Sequence, residues 1–426
     1  MKKNFYGFDF GTSNCSLALN EDGKVEVLPI EVNDKKTIAS ILYFPTTKRD
    51  HYIGHEAVQE YLRHKMHGRF MQSLKSLLSD ESFDGTFISG SSWRTLEQLI
   101  ALIMSEVRRR ADRICGQEIN TVVLGRPARF SPDPAIDKLA EERLIAAAHR
   151  SGFKEVFLQL EPIAAAFHYE SLISSDEVVL VADFGGGTTD FTVMKLSPSR
   201  RGLPDRTSDI LASGGVYIGG DKFDSMIMKD RVIKHFGSES LYKFRDTASS
   251  DIQMMAMPQY LINHLMEWQH HVLLKSKKNQ ILLHRISESS NDLLAIKRLQ
   301  FLIDNNLGYA LFQEIEKAKC ELSDNDQSSI SFSQSVINIE EKISRSEFNR
   351  LIQPAIEQFS LCIDNVLHAA GIMPDQLDSV FVTGGSSLIP RLPDFLSQRF
   401  GKSKMRYSDT FTSVASGLAM SSYLVK

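Results

Sequence analysis

Cysteine is scarce in this chain, and its few cysteines lie far apart. They are Cys15, Cys115, Cys320 and Cys362. They share no paired spacing, which argues against a zinc site and against a disulfide framework. Long apolar runs are missing too, since Asp9 and the polar residues around Asn14 interrupt the N-terminal apolar segment and no window approaches a membrane span. The sequence therefore predicts a cytoplasmic protein with reduced thiols and no membrane contact.

A large excess of charge of either sign is also absent. The formal net charge is -4, which gives no general attraction to nucleic acid or to anionic lipid. Hydrophobic residues make up 42% of the chain and charged residues 24%, as in a folded globular protein. A chain of 426 residues exceeds what one hydrophobic core usually organises. We therefore expect two large domains and no nucleic-acid partner.

Two stretches far apart in the chain share one pattern, in which an apolar strand, a turn of small residues and a second apolar strand follow each other. In the first stretch, residues 5–8 are apolar, Gly11-Thr12-Ser13-Asn14 form the turn, and residues 15–19 resume the apolar run. In the second, the strand at 178–182 leads into the turn at 183–189, and an apolar run follows. A repeat this wide is no solenoid and predicts two similar α/β halves.

Helical and strand patterns alternate between and after the two turns. Residues 95–114 have helical periodicity, residues 121–124 form a short apolar strand, and residues 136–150 form an Ala-rich helix. From residue 251 to 322 the pattern becomes largely helical, which predicts a separate subdomain. The expected fold class is α/β.

The two turns have the composition of phosphate-binding turns. Backbone N–H groups in a turn rich in Gly, Thr and Ser point toward one place, and glycine lets a phosphate approach without meeting a Cβ. The run Gly185-Gly186-Gly187 meets this requirement. Asp9 and Asp183 precede the two turns, and Mg2+ is held by one or two carboxylates together with substrate phosphates. One such turn alone could equally be an ordinary hairpin. Two turns with the same pattern of strand, aspartate and small residues predict a clamp for a magnesium nucleotide.

Several motifs, in order along almost the whole chain, resemble those of the DnaK-type heat shock protein 70 family. They are the first phosphate loop at 8–14, the first connecting helix at 161–166, the second phosphate loop at 183–190, the segment at 219–224 that begins an outer subdomain, the adenosine loop at 382–391 and the second connecting helix at 413–419. The resemblance implies an actin-like ATPase fold with a duplicated, ribonuclease H-like core. It also implies two lobes with the nucleotide in the cleft between them.

By this resemblance the roles known in the family fall on matching residues of this chain. Asp9, Glu161 and Asp183 would surround Mg2+ and its waters, and one of these carboxylates would position or deprotonate the attacking water. Thr188 would contact the same water and completes the implied catalytic group. The implied contacts to ATP or ADP are Gly11, Thr12, Ser13, Asn14, Gly185, Gly186, Gly187, Thr189, Gly219, Gly220, Asp221, Glu316, Lys319, Gly384, Gly385 and Ser386. The assignment of Glu316 and Lys319 as nucleotide contacts depends on a short sequence match. The same two residues are also compatible with an ordinary charged helix face.

The chain departs from the family at two positions of the implied site. Cys320 stands where the chaperones stack an arginine on the adenine. Val58 aligns with the lysine that contacts the γ-phosphate, although Lys65 or Lys75 would reach the same place if the alignment is shifted. Losing that cation would slow hydrolysis more than it weakens binding. We therefore expect a slow ATPase.

The motifs also predict where the lobes begin and end. Residues 1–176 form the first lobe, to which residues 411–426 return, and residues 177–410 form the second lobe with a mainly helical outer subdomain at about 222–323. The family's peptide-binding domain would follow the second connecting helix, where this sequence ends, so we expect no autonomous peptide-binding domain. In this respect the chain is most similar to YegD-like stand-alone members of the family.

Three functions are compatible with this fold, because fold alone does not decide function. The first is a chaperone-like nucleotide switch that acts on an unidentified protein partner. The second is a filament protein like MreB or FtsA, which the chaperone-like adenosine loop and the lack of a terminal membrane-binding helix disfavour. The third is a sugar kinase, for which the sequence has no motif with a substrate-binding base.

Overall fold

The computed structural model describes residues 4–46, 51–64, 66–88, 92–201, 203, 206–245, 252–267, 270–407 and 411–425. The chain divides into two compact units. The first unit comprises Met1–Gly220 with Ala355–Lys426, and the second unit comprises Asp221–Pro354. None of the helices in the described ranges is long and apolar enough to cross a membrane.

The regular elements of the described residues include both strands and helices in most parts of the chain. The strands are β1 (Phe5–Phe10), β2 (Asn14–Glu21), β3 (Lys24–Val27), β4 (Thr37–Ala39), β5 (Ile41–Phe44), β6 (Tyr52–Ile53), β7 (Arg69–Gln72), β8 (Gly85–Ile88), β9 (Ser92–Thr95), β10 (Thr121–Arg126), β11 (Glu155–Leu160), β12 (Glu177–Phe184), β13 (Thr189–Leu196), β14 (Ile210–Val216), β15 (Leu241–Arg245), β16 (Ile252–Ala256), β17 (Gln327–Gln334), β18 (Ile337–Ser344), β19 (Ser379–Thr383) and β20 (Met405–Tyr407). The helices are α1 (Gly54–Arg63), α2 (Leu96–Cys115), α3 (Pro134–Arg150), α4 (Glu161–Glu170), α5 (Gly220–Ile227), α6 (Gln259–Leu265), α7 (His271–Leu274), α8 (Lys277–Ser289), α9 (Leu293–Asp304), α10 (Gly308–Asp324), α11 (Arg345–Leu351), α12 (Gln353–Ala370), α13 (Arg391–Phe400) and α14 (Ser413–Met420).

Two sheets of the first unit repeat one strand order. The first sheet runs β11-β10-β1-β2-β3, with β4 paired beside β2, and the second runs β20-β19-β12-β13-β14. In each sheet the strand before the turn pairs antiparallel with the strand after it and parallel with a later strand: β1 pairs with β2 and β10, and β12 pairs with β13 and β19. The predicted duplication of an α/β core is therefore confirmed.

The central strands of these sheets are buried along most of their length, as expected where helices cover both faces of a sheet. They are β1, β2, β10, β12, β13 and β19. Phe8 and Phe10 of β1 belong to a core that includes Ile103 of α2. On the other side, Phe5 packs in a second core that includes Ala165 of α4. Helix α2 begins with a capping box in which Thr95 and Gln98 satisfy each other's backbone N–H groups.

Helices α4 and α14 pack backbone against backbone in the first unit. A Cβ on Gly417 would lie 1.6 Å from the carbonyl oxygen of Ala164, so the contact requires glycine. A Cβ on Gly7 would lie 2.2 Å from the backbone N of Ala419. The Asn20 side chain also donates to the Ala419 carbonyl oxygen at 2.7 Å. These contacts fix α14 on β1 and β2, the two strands that carry the first turn.

The second unit contains helices α6 to α10 and two antiparallel hairpins, β15-β16 and β17-β18. Its buried residues include Leu299 and Ile315, and the rings of Phe223 and Phe348 meet edge to face at 6.3 Å. The helical pattern predicted from residue 251 onward is confirmed for most of its length. Residues 252–256 are the exception, since they pair with β15 as strand β16.

The predicted lobes each contain one of the two sheets. The first sheet lies within residues 5–160 and the second within residues 177–407. The second unit begins at Asp221, near the predicted start of the outer subdomain, and extends past residue 323 to include β17, β18 and α11. The bounds of the lobes themselves stay a prediction.

Candidate functional site

The first predicted phosphate turn joins β1 to β2 and is held by a serine from a distant part of the chain. Ser40 donates its backbone N–H to the Ser13 carbonyl oxygen at 2.9 Å and its hydroxyl to the Gly11 carbonyl oxygen at 2.7 Å. The role of Ser40 was not predicted from the sequence, because this residue belongs to no motif and follows the turn by some thirty residues. A Cβ on Gly11 would lie 2.2 Å from the Asn14 carbonyl oxygen, so this turn requires glycine there.

The second predicted turn joins β12 to β13 and touches the first turn. It closes on itself through a hydrogen bond from the Gly185 N–H to the Thr188 carbonyl oxygen at 2.9 Å. A Cβ on Gly187 would lie 3.1 Å from Oγ1 of Thr12, so a larger residue there would push the two turns apart. The structure thus brings together the two turns that the sequence predicted as halves of one clamp.

Two further predicted segments pack on the second turn. The Ser386 hydroxyl donates to the Gly185 carbonyl oxygen at 2.8 Å. Gly384 has a φ of +83°, and a Cβ there would lie 2.4 Å from Oδ1 of Asp183. A Cβ on Gly219 would lie 2.4 Å from the Gly186 carbonyl oxygen. The predicted adenosine loop and Gly219, which precedes α5, therefore both adjoin this turn.

The first unit contains a group of buried carboxylates whose charges act on one another. Burial and the charge of Glu161 raise the pKa of Asp9 to about 7, and they likewise raise the pKa of Asp190 to about 7. The pKa of Asp183 lies well above its usual range because of burial and the charges of Glu161, Asp190 and Asp9. Four acidic groups therefore repel one another in a site with little water to screen them.

Lys75 is the cation in this cluster. It lies in a short helical turn at 74–79, is 7% exposed, and donates from Nζ to Oε1 of Glu161 at 2.5 Å. Burial alone would lower the pKa of Lys75, but the charges of Glu161 and Asp9 outweigh it and raise that pKa. The lysine is therefore a buried, charged group that faces the carboxylates on which the predicted site depends.

Val58 and Lys65 are the other two candidates for the position that contacts the γ-phosphate. Val58 lies half-buried on α1. Lys65 falls outside the described residues. The replacement of the family's lysine by Val58 stays a prediction. Lys75, one of the two lysines that the sequence left as alternatives, lies beside Glu161.

Asp190 ends the second phosphate loop, and the sequence predicted no role for it. Its Oδ2 accepts a hydrogen bond from the Thr188 hydroxyl at 3.1 Å, and its Oδ1 accepts one from the Ala128 N–H at 3.3 Å. Asp190 thereby orients the hydroxyl of Thr188, a predicted catalytic residue. Gly125 was also missed: a Cβ there would lie 2.9 Å from Cγ of Glu161, so this glycine leaves room for the carboxylate.

Three predicted nucleotide contacts, Asp221, Glu316 and Lys319, belong to the second unit. Lys319 donates from Nζ to Oδ2 of Asp224 at 2.8 Å, and both side chains are buried. Burial raises the pKa of Asp224 to about 7, although the Lys319 charge acts against this shift. Cys320 follows on the same helix and is exposed. The roles of these residues toward ribose and adenine stay predictions.

The carboxylate cluster suits a hard cation held through water. In the described ranges, no three His, Cys, Asp or Glu side chains are arranged to ligate a metal directly. The buried acidic side chains of Asp9, Glu161, Asp183 and Asp190 nevertheless lie near one another and near Lys75. Mg2+ usually keeps several of its waters and prefers oxygen ligands, so it would relieve this excess of negative charge without direct coordination by all four groups.

Known proteins resemble this chain over most of its length. A family model described as "Hsp70 protein" matches residues 5–255 and 297–426. The chain is 25% identical to the chaperone protein DnaK of Thermosipho africanus (strain TCF52B) over 98% of its own length and 58% of the relative's. It is also 25% identical to the chaperone protein DnaK of Thermosipho melanesiensis (strain DSM 12029 / CIP 104789 / BI429), over 98% of this chain and 59% of the relative. The chain thus spans less than two thirds of the relatives it matches. With its duplicated core and its paired glycine turns, this chain belongs to the Hsp70 family and has the actin-like ATPase fold.

Proposed function

We propose that this chain binds magnesium-ATP at its two phosphate turns, hydrolyses it, and acts as a chaperone-like nucleotide switch on a protein partner. The observation that carries the proposal is the contact between the turns at Thr12 and Gly187, beside the buried carboxylates. Two glycine-containing turns in contact provide N–H groups from both sides of one point, which suits the phosphates of one nucleotide.

The residues of the first unit have distinct tasks in this proposal. Backbone N–H groups of 11–14 and 186–188 would hold the phosphates, while Asp9, Glu161 and Asp183 would hold Mg2+ through its waters. Bound Mg2+ would neutralise charge on the phosphates. Thr188, oriented by Asp190, would position the attacking water, and Lys75 would stabilise the negative charge that grows on the transferred phosphoryl group.

A protein partner enters the proposal through the relatives, which are named as chaperone proteins. In a nucleotide switch, ATP and ADP favour different conformations, and the partner distinguishes them by its affinity for each. A pull-down from lysate with the protein held in magnesium-ATP and, in parallel, in magnesium-ADP tests this part. Partners captured equally in both states would contradict a switch.

Calorimetry tests the clamp directly. Asp9→Asn and Asp183→Asn should each weaken binding of magnesium-ATP by about tenfold or more, since each removes charge that holds Mg2+. Asp22→Asn, at an exposed position in the turn between β2 and β3, is the matched control and should bind as the wild type does. ATP binding should also weaken when EDTA removes Mg2+. Wild-type affinity in both cluster variants would refute the clamp.

A further inference from the structure

Lys75 lies in a short helical segment between β7 and β8. The segment is a 3-10 helix at residues 74–79, which we name the lysine turn. Helices of this kind are short and have poorer hydrogen-bond geometry than an α-helix. Ser73, which precedes the turn, has a φ of +57°, a left-handed conformation that persists where the surrounding structure holds it. The position of Lys75 therefore depends on contacts from outside the lysine turn.

The hydrophobic core of the first unit holds the apolar side chains of the lysine turn. Leu74 and Leu78 are fully buried in a core that also contains Leu99 of α2 and Leu144 of α3. Burial of apolar side chains is favourable but non-directional. The two leucines therefore keep the turn in the core, while directional bonds are needed to fix its position there.

Arg143, which lies on α3, supplies such directional bonds. Its Nη1 donates to the Leu78 carbonyl oxygen at 3.2 Å and to the Asp80 carbonyl oxygen at 2.9 Å. The last carbonyl groups of a helix have no partner within it, so they need donors from elsewhere. The guanidinium is planar and carries its donors in a fixed geometry, which suits two neighbouring carbonyl groups. Arg143 thus ties the end of the lysine turn to α3.

Acidic side chains lie beside the other nitrogens of Arg143. Its Nη2 is 3.4 Å from Oδ1 of Asp84, and its Nε is 3.7 Å from Oε1 of Glu97 on α2. Arg143 is 8% exposed, and a buried charge is costly unless its partners compensate it. These two carboxylates provide that compensation. The contacts of Arg143 therefore connect the lysine turn with both α2 and α3.

Lys75 is close enough to these bonds to be displaced by their loss. It precedes Leu78 by one turn of a 3-10 helix, or about 6 Å along the helix axis. Its Nζ donates to Oε1 of Glu161 at 2.5 Å. A misplacement of about 1 Å at a reacting group can lower a rate about 100-fold. A shift at the end of the lysine turn would therefore change how Lys75 faces the carboxylates and the group on which it acts.

We propose that Arg143 is a positioning residue for ATP hydrolysis, which fixes the lysine turn through the Leu78 and Asp80 carbonyl groups and thereby keeps Lys75 beside Glu161. Arg143 acts through Lys75, without touching the nucleotide. The inference rests on the proposed function, in which Lys75 stabilises charge on the transferred phosphoryl group. No motif in the sequence indicates this role, because Arg143 binds a carbonyl group 65 positions earlier in the chain.

Single-turnover hydrolysis of magnesium-ATP by the full chain tests the proposal in two backgrounds. Arg143→Met removes the donors but keeps a long side chain, and it should lower the hydrolysis rate about tenfold or more. Its affinity for magnesium-ADP, measured by calorimetry, should change less than about threefold, because the phosphate turns are intact. In the Lys75→Ala background, Arg143→Met should change the rate less than about twofold, because the lysine through which Arg143 acts is gone.

Hydrogen exchange followed by mass spectrometry supplies a readout without nucleotide. In Arg143→Met, the amides of residues 74–80 should exchange faster than in the wild type, because the lysine turn opens more often. Arg108→Met is the matched control, since Arg108 lies on α2 and donates to the carbonyl oxygens of Ile119 at 3.2 Å and Ser151 at 3.4 Å. It should leave the exchange of residues 74–80 and the hydrolysis rate as they are in the wild type.

Arg143→Lys keeps the test possible if Arg143→Met does not fold. Lysine retains the positive charge near Glu97 but lacks the planar fork that reaches two carbonyl groups. It should speed exchange at residues 74–80 and lower the hydrolysis rate, with a smaller loss of thermal stability than methionine causes.

Three results would overturn the proposal. Faster exchange at residues 74–80 with an unchanged hydrolysis rate, in either variant, would show that the rate does not depend on how the lysine turn is held. Unchanged exchange there in Arg143→Met would show that the turn is held without this arginine. A loss of rate that is equally large in the Lys75→Ala background would assign Arg143 a general structural role. Hydrolysis that is absent from the wild type, or unchanged in Lys75→Ala, would instead refute the proposed function of Lys75, and this inference with it.

Discussion

At the scale of single residues, we expect the charge of Lys75 to have the largest effect on the rate of ATP hydrolysis. Its Nζ lies 2.5 Å from Oε1 of Glu161, within the group of buried carboxylates. A preorganised cation acts most strongly where negative charge develops in the transition state. Lys75→Ala should therefore lower the single-turnover rate of ATP hydrolysis by about 100- to 1000-fold, with a smaller change in nucleotide affinity.

The alternative assignment gives the opposite pattern in the same assay. If Val58 stands at the family's lysine position, Val58→Lys should raise the hydrolysis rate while Lys75→Ala leaves it unchanged. Lys65→Ala serves as the second lysine control. Thermal unfolding of each variant, with and without magnesium-ADP, should separate a catalytic loss from the destabilisation caused by leaving Glu161 buried without its partner.

Residues that belong to a local motif could be predicted from the sequence, and residues that act from a distance could not. Asp9 and Asp183 are recognisable because each precedes a turn of small residues. Ser40 supports the first turn from the junction between β4 and β5, and Gly125 matters because it leaves space beside Glu161. A serine or a single glycine has no pattern of its own. Their roles follow from the packing of strands that are far apart in the chain.

A buried histidine in the second unit should make stability depend on pH. His271 donates from Nε2 to the Leu265 carbonyl oxygen at 3.0 Å, and its Nδ1 has no hydrogen-bond partner among the described residues. Burial lowers the pKa of His271 from 6.5 to about 4. Between these two values the unfolded chain binds a proton that the folded chain does not. The contribution of His271 to the free energy of unfolding should therefore fall as pH is lowered, by up to about 1.4 kcal/mol per pH unit. The buried carboxylates Asp9, Asp190 and Asp224, whose pKa values are raised to about 7, contribute in the opposite direction.

Urea titrations at several pH values check this dependence. His271→Gln should change the slope of the unfolding free energy against pH by up to about 1.4 kcal/mol per pH unit in that window, because glutamine does not titrate and the contribution of His271 is lost. The matched control is His284→Gln on the exposed side of α8, which should keep the slope of the wild type. A slope that is the same in His271→Gln and in the wild type would show that other groups cause it.

At the scale of secondary-structure elements, the contact between α4 and α14 depends on one glycine. Gly417 lies inside α14, where alanine normally stabilises a helix by about 1 kcal/mol relative to glycine. Here a Cβ would lie 1.6 Å from the Ala164 carbonyl oxygen, which is backbone and cannot rotate away. Gly417→Ala should therefore destabilise the protein by about 1–3 kcal/mol, the usual cost of overpacking.

A second glycine separates the two ways in which a glycine-to-alanine substitution can destabilise the protein, steric crowding and an unfavourable backbone conformation. Gly371 has a φ of +66° and nothing within 4 Å of an added Cβ. Gly371→Ala should cost about 1 kcal/mol through its left-handed backbone alone. Urea unfolding monitored by circular dichroism would measure both variants. A gain of stability in Gly417→Ala would mean that α4 and α14 separate easily.

Strong periodicity predicted the elements of the sheets and their helices, and weak periodicity did not predict β16. Residues 95–114 and 136–150 correspond to α2 and α3 within a few positions. The segment 252–256 lies in a stretch that reads as helical, yet it pairs with β15 along five residues. A short apolar run does not distinguish helix from strand, so the partner strand decides.

At the scale of the whole molecule, the repeated turn in the sequence predicted the repeated topology of the two sheets. The division into units was not predictable in the same way. The first unit unites both sheets and takes in Ala355–Lys426, while Asp221–Pro354 forms a unit by itself. Compactness of this kind depends on contacts between distant residues, whereas a motif is a local property. The second unit is one continuous stretch, so it can be excised with a single pair of cuts.

The isolated stretch Asp221–Pro354 should fold cooperatively. It has the size of a typical domain and its own buried residues, among them Leu299, which is fully buried on α9. Urea should unfold it in one sigmoidal transition, seen identically by circular dichroism and by intrinsic fluorescence. Leu299→Ala should lower its free energy of unfolding by about 2–5 kcal/mol, since a cavity replaces the side chain. Leu294→Ala, on the same helix but 51% exposed, should change it by about 0.5 kcal/mol or less. A gradual, non-cooperative loss of structure, or equal effects of the two substitutions, would show that this stretch needs the rest of the chain to form its core.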